Sequence, residues 1–240
     1  MKTEIRYSMV DSGMHVTLLS LAKIIEDATT EFLSENGFSS KDLNHTYHAI
    51  MVVLRNHIIF HSRVHFMDTI TSKVDAIRKS SVAIILRTRL YRENEVEPLV
   101  TSYIQLSSID MVTRRLRNLD DFKPYMDLKA EEENVSIKGL FNRYTDYVSE
   151  NTIKKDVMVE STDIDYSNHL NNISYIRYFM NCLKSSELRH LLYKEMEVNY
   201  IKEAKEGEKL TIEYTKVDNQ LYFLLKDKEG GIITRAKLSI

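Results

Sequence analysis

Between Asp163 and Tyr175 the chain reads Asp-Ile-Asp-Tyr-Ser-Asn-His-Leu-Asn-Asn-Ile-Ser-Tyr, which sets two acids, a histidine and three asparagines within ten residues. A carboxylate can accept a proton from water, an imidazole can orient or relay one, and amides can hold a polar substrate. Directly afterwards Ile173, Ile176, Phe179, Met180 and Leu183 recur at steps of three and four, the spacing of one face of a helix. Asn171 and Asn172 stand where N-caps stand, because a short polar side chain satisfies the free N–H groups there. A helix N-terminus also suits a developing negative charge. On spacing alone, a capped loop with solvated side chains reads equally well.

The elements that must position this stretch appear in two similar runs. Residues 3–10 alternate as a half-buried strand, and Asp11-Ser-Gly13 marks a turn. Leu18, Leu21, Ile25, Ala28 and Phe32 then predict a long helix, which Gly37 is placed to end. Strands follow over His48–His61, Thr69–Lys79, Ser81–Arg92 and Val100–Met111, with turns at Arg78–Ser81 and Arg92–Pro98. Residues 121–150 read as a polar connection, with Asp120-Asp121 and the run Lys129–Asn134. The second run has a strand at Asp156–Glu160, the polar stretch with its helix, and a short helix over Leu188–Tyr193. Strands at Met196–Ile201, Lys209–Val217, Gln220–Asp227 and Ile232–Ile240 complete it, with Gly230-Gly231 as a hairpin turn. The same order twice suggests a duplicated unit, with residues 1–120 and 151–240 as domains. Asp11-x-x-x-His15-Val also repeats the spacing of Asp165-x-x-x-His169-Leu, a match short enough for chance.

Bulk properties exclude several classes. The balance of 33 Lys+Arg against 35 Asp+Glu gives no footprint for nucleic acid. No apolar run is long enough for a membrane span, and the N-terminus lacks the apolar core of a signal peptide. The single Cys182 allows no intrachain disulfide, reads as core filler, and fits a cytoplasmic protein. His57, His61 and His65 are four apart, but the branched residues between them favour a strand, where that spacing converges less, so no metal is expected. No cofactor is expected either.

Asp165-Tyr-Ser-Asn-His-Leu-Asn-Asn-Ile-Ser-Tyr175 resembles the D-x-N-x-H-V-N-N-x-x-Y stretch of the acyl-acyl-carrier-protein (acyl-ACP) thioesterases, the tandem-hotdog family of plants and bacteria. It is similar also to the looser D-x-x-G-H-x-N-N of single-hotdog acyl-CoA thioesterases. Met196-Glu-Val-Asn-Tyr-Ile-Lys-Glu-Ala204 resembles the first family's M-x-x-x-Y-x-x-E-C segment, and Thr113-Arg-Arg115 its T-R-R. The resemblance implies an α+β fold of two tandem hotdog domains, each a long helix wrapped by a curved antiparallel sheet. It implies hydrolysis of fatty acyl-ACP to free fatty acid and carrier in fatty acid biosynthesis, with the acyl-chain pocket in the first domain. Asp165, His169 and Glu203 are the implied catalytic residues, with Glu203 as general base or direct nucleophile. Ser167, Asn168, Asn171 and Asn172 are candidates for orienting substrate or holding the oxyanion, together with N–H groups at the start of the second helix. Taken alone, Glu203 reads as a solvated acid at a strand end.

This chain departs from the family at two letters. Ser167 stands where the family has Asn, and Ala204 replaces the Cys, which leaves no Cys nucleophile there. An acyl-CoA thioesterase and a non-hydrolytic acyl-thioester-binding hotdog protein are the alternative readings. The expected partner is acyl-carrier protein; Arg114, Arg115 and Arg117 read either as solvated charge or as its docking site. Oligomeric state stays open, with a homodimer among its outcomes.

Overall fold

The computed structural model describes residues 1–131, 137–141 and 149–240. Part of the run Lys129–Asn134 and of residues 121–150 therefore lies outside the described residues.

The helix Leu18–Glu35 forms as its spacing predicts, burying Leu18, Leu21, Ala22, Ile24, Ile25, Ala28 and Thr29. Thr17 caps it, its Oγ1 accepting from the Ser20 N–H at 3.1 Å. Gly37 ends it at φ 78°, and a Cβ there would lie 3.1 Å from the Pro124 ring. Only glycine meets both conditions without strain.

Ten strands form one antiparallel sheet. They are β1 (Lys2–Glu4), β2 (Ala49–Phe60), β3 (Thr69–Ser80), β4 (Ala83–Arg92), β5 (Val100–Asp110), β6 (Ile153–Met158), β7 (Glu195–Tyr200), β8 (Lys209–Val217), β9 (Gln220–Lys226) and β10 (Ile232–Ser239). The order is β1-β3-β4-β5-β2-β7-β10-β9-β8-β6. Numbered within its own run, each half has the order first-third-fourth-fifth-second, so the two halves repeat one topology. They meet at β2 and β7, where Arg55 pairs with Asn199, His57 with Glu197 and Ile59 with Glu195. Period-two alternation places Ile58, Met196 and Val198 on the inner face, all at 1% exposure or less. A bulge between Val53 and Arg55 breaks the register of β2 against β5, and such bulges bend a strand. The helices Leu18–Glu35 and Asn172–Met180 pack on this inner face, which gives the α+β hotdog arrangement expected from the sequence.

Several details differ from the sequence reading, among them the strand expected over Asp156–Glu160, which runs Ile153–Met158 where it pairs with β8. The first strand stops at Glu4, because its partner β3 begins at Thr69; the chain then turns through a 3-10 helix at Tyr7–Met9. The short helix lies at Ser185–Leu188, upstream of Leu188–Tyr193, because the Glu187 carboxylate takes the Lys184 N–H at 2.8 Å and starts it early. The β3–β4 turn sits at Ser81–Val82, leaving Val82 exposed. Residues 119–128 are no solvated connection: Leu119, Phe122, Tyr125 and Leu128 recur every third residue and are buried. The charges between them face outward.

Candidate active site

Asp163 anchors the polar stretch. It is 1% exposed, and its carboxylate receives the Glu160 N–H at 3.0 Å, the Tyr178 hydroxyl and the Arg177 guanidinium. Its own carbonyl accepts the Asn171 N–H at 2.9 Å. One buried acid thus ties the loop to the helix Asn172–Met180, and three donors from two elements converge on its carboxylate.

The loop after it is a tight turn closed at both ends. The Asp165 N–H donates to the His169 carbonyl at 2.9 Å, and Asn168 adopts φ 61°, a conformation asparagine tolerates. Asp165 Oδ1 accepts both the Ser167 N–H at 2.8 Å and the Ser167 hydroxyl at 2.6 Å. Ser167 Oγ lies 3.4 Å from His169 Nδ1. The Leu170 N–H donates to the Ala204 carbonyl at 2.8 Å, stitching the loop to the segment that carries Glu203. His169 Nε2 consequently stands 3.3 Å from Glu203 Oε2. The other carboxylate oxygen of Glu203 receives Arg114.

Arg114 arrives from the end of β5 by its own local chemistry. Asp110 Oδ1 accepts the N–H of Val112 at 3.0 Å and of Thr113 at 2.8 Å, plus the Thr113 hydroxyl at 3.0 Å. These bonds hold the Asp110 carboxyl below its ordinary range. The turn puts Arg114 at φ 56° and aims its guanidinium across to Glu203. Arg117 bonds the Tyr47 carbonyl at 3.1 Å and lies 3.6 Å from Asp110. Arg114 and Arg117 are therefore bound within the fold, a correction to their reading as solvated charge; Arg115 alone of the three is exposed.

These groups open onto a cavity of about 520 Å³. Ala22, Ile25, Thr29 and Leu33 line it from the first helix, Ile50–Leu54 from β2, and Ile104, Leu106 and Ile109 from β5. Asp165, Ser167, His169, Asn172 and Glu203 line it from the second half. Five of the seven residues expected at the site thus meet at one cavity wall. Asn168 is exposed and serves the turn, and Asn171 caps the helix, accepting the Ile173 N–H at 2.7 Å. The Asn172 N–H has no acceptor among the described residues and sits at the dipole's positive end.

Two cavity residues escaped the sequence reading as members of the site. Arg114 is one. The other is Glu26, whose carboxyl has no hydrogen-bond or ion-pair partner among the described residues. Burial pushes its pKa up to about 7, with the charges of Asp27 and Asp165 adding to the effect. Its signal in the sequence was an acid on the apolar stripe of an amphipathic helix.

The three histidines do not converge. His61 Nε2 bonds Thr101 at 3.0 Å, and the His65 ring lies 5.3 Å from that of His15. His57 is buried at the β2–β7 seam, with Nδ1 2.6 Å from the Leu140 carbonyl and Nε2 2.5 Å from Glu195. Ligand atoms of His57, Glu195 and Glu197 lie within 4.8 Å of one another, a set that could receive a cation. The direct His57–Glu195 hydrogen bond already satisfies its two members.

The echo at the first turn is structural. The Asp11 N–H donates to the His15 carbonyl at 2.9 Å, the Gly13 N–H to Asp11 Oδ1 at 2.8 Å, and Met14 adopts φ 60°. Each bond and the left-handed residue have a counterpart in the Asp165 loop.

The chain is similar to known proteins in part of its sequence and in its fold. Residues 147–239 match the family model described as the acyl-ACP thioesterase C-terminal domain. An acyl-ACP thioesterase from Bacteroides thetaiotaomicron superposes with TM-score 0.85 at 15% identity, over 100% of this chain and 96% of that one. A 12:0-ACP thioesterase from Umbellularia californica superposes with TM-score 0.84 at 15% identity, over 100% and 95%. At such identity the likeness speaks for the fold. No curated protein matches the sequence.

Proposed function

We propose that the chain, whose residues 147–239 match the acyl-ACP thioesterase C-terminal domain, is an acyl-ACP thioesterase that hydrolyses fatty acyl-ACP to free fatty acid and carrier in fatty acid biosynthesis. The observation that carries the reading is one linked set, Asp165–Ser167–His169–Glu203–Arg114, at the wall of a cavity lined largely by apolar side chains. Residues 1–120 supply most of that apolar lining and would hold the acyl chain; residues 151–240 supply the acid–base groups.

In the proposed reaction Glu203 Oε2 accepts a proton from water, which attacks the thioester carbonyl. Arg114 fixes the other oxygen, so one lone-pair set stays turned toward His169 and the cavity. Asp165, acting through Ser167, holds the His169 ring, whose Nε2 aligns the water. The Asn172 N–H receives the oxyanion. Collapse of the tetrahedral intermediate breaks the carbon–sulfur bond, and the thiolate of the carrier's prosthetic arm takes the proton back from Glu203. Cys182 takes no part, because it is half-buried and burial pushes its thiol up to about 11. Among the described residues no helix is long and apolar enough to cross a membrane. A lone cysteine whose thiol burial keeps protonated fits the reducing conditions of a cytoplasmic placement.

The test is thiol release from acyl-ACP over a range of chain lengths, run beside the matching acyl-CoA. Turnover is expected on the carrier protein, with a loss of about 10²- to 10⁴-fold in Glu203→Gln. Full turnover by Glu203→Gln would overturn the assignment of the base. Faster release from acyl-CoA would move the substrate to the other carrier, and tight binding without release would make the chain a binding module.

A further inference from the structure

The Asp11 loop is a second copy of the Asp165 loop, and its surroundings show what the copy has become. The Val16 N–H donates to the Val64 carbonyl at 3.0 Å, as the Leu170 N–H donates to the Ala204 carbonyl. Val64 therefore holds the place of Ala204, and Arg63 the place of Glu203. A cation has replaced the acid. Arg63 Nη1 lies 2.7 Å from His15 Nε2, and Nη2 donates to the Leu191 carbonyl at 3.0 Å. Both acceptors are neutral: burial and the adjacent Arg63 lower the pKa of His15, which favours its uncharged form. Among the described residues Arg63 has no carboxylate partner, and its contacts, all to the His15 ring and the Leu191 carbonyl, leave donors available, the Nε–H among them.

A cavity of about 260 Å³ adjoins this loop. Its charged lining is Arg63, Arg189 and Lys194 against Asp11 alone, an excess of two positive charges. The larger cavity has the opposite balance, Glu26, Asp165 and Glu203 against Arg114 and Lys202. Apart from His15, His61 and Ser62, the smaller lining is otherwise apolar or aromatic, with Leu21, Phe60, Leu188 and Tyr193 on its walls. Phe60 and Tyr193 meet ring to ring, their centroids 5.7 Å apart. Apolar walls ending in an uncompensated guanidinium suit an anion that carries a hydrocarbon tail, and guanidinium matches carboxylate in a two-point contact.

We propose that this second cavity binds a fatty carboxylate, the headgroup on Arg63 beside His15 and the tail against Leu21, Phe60 and Tyr193. The site is separate from the one assigned to hydrolysis and stands on the duplicated loop and its charge reversal, whatever the turnover of the other cavity. The smaller volume favours a shorter chain than the larger cavity takes.

The experiment is carbon NMR of the full chain with carboxyl-labelled decanoate. A bound carboxylate signal is expected in the native chain and in Glu203→Gln, with affinity reduced about 10- to 100-fold in Arg63→Met, the range of a lost hydrogen bond to a charged group. Arg63→Lys keeps the charge and is expected to retain a measurable fraction of the binding. Decanol, which lacks the carboxylate, is expected not to displace the signal. The proposal is overturned if no bound signal appears, or if the signal is lost in Glu203→Gln and survives Arg63→Met. Should Arg63→Met melt early, a contrast between Arg63→Lys and Arg63→Gln decides in its place.

Discussion

Glu26 offers a quantitative test of the cavity, because it is an acid without a partner on an apolar helix face. Its carboxyl titrates near 4.5 when unconstrained and at about 7 in the folded chain. Between those values the folded state holds a proton that the unfolded state has released. Stability therefore falls as pH rises through this window, and each pH unit costs about 1.4 kcal/mol. The full interval amounts to about 3 kcal/mol, and water entering the cavity would reduce it to about 1–2 kcal/mol. Glu26→Gln keeps the size and cannot ionise. Relative to the native chain it is expected to be near neutral at about pH 4 and more stable by about 1–3 kcal/mol at about pH 8. Urea unfolding followed by circular dichroism at both values measures the difference, and the acids common to both proteins cancel. A difference that stays constant from acid to alkaline pH would falsify the account of Glu26 as a carboxyl buried beside Asp165.

Other variants probe the framework. Asp163→Ala removes the acceptor shared by Arg177, Tyr178 and the Glu160 N–H, and chemical denaturation should show a loss of about 3–5 kcal/mol. Arg114→Gln frees one oxygen of Glu203 and should lower kcat about tenfold with little change in KM; an unchanged kcat, or a loss confined to KM, would contradict the positioning role. Ser167→Ala cuts the link between Asp165 and His169 and should lower kcat about tenfold, whereas Ser167→Asn, which restores the letter found in the resembling family, should retain turnover. His57→Leu strands the Leu140 carbonyl at the seam and should cost about 1–3 kcal/mol in a urea melt.

What could be read in advance followed local rules. Period-three-and-four spacing found the helix from Leu18, and alternation found the long strands, because both signals lie within one element. The Asp165 loop and Glu203 were legible through their letters, although the sequence could not show that the Leu170–Ala204 hydrogen bond brings them together. Arg114 was legible only as a letter of the Thr113-Arg-Arg115 match and of a basic cluster, and its place beside Glu203 was not, because that partner is 89 residues away. Residues 119–128 misled for the opposite reason, since their conspicuous charges hid the regular Phe122, Tyr125 and Leu128. Residues 3–10 alternate as a strand should, but a strand ends where its neighbour does, and β3 lies far along the chain. The repeated Asp11 loop was visible only as a spacing. Its meaning depended on Arg63, which no motif marks.

The seam between β2 and β7 carries a last implication. Counting back six positions from Arg63 and from Glu203 reaches His57 and Glu197, the two residues paired directly across the seam. The pair therefore straddles the molecule's approximate diad. Two identical chains meeting there could set only like against like, an acid facing the same acid or an imidazole facing the same imidazole. A single polypeptide escapes that rule and can seat a base beside an acid on the axis itself. Fusion thus freed each copy to mutate without its twin, and the axis records that freedom in the histidine and glutamate that face one another.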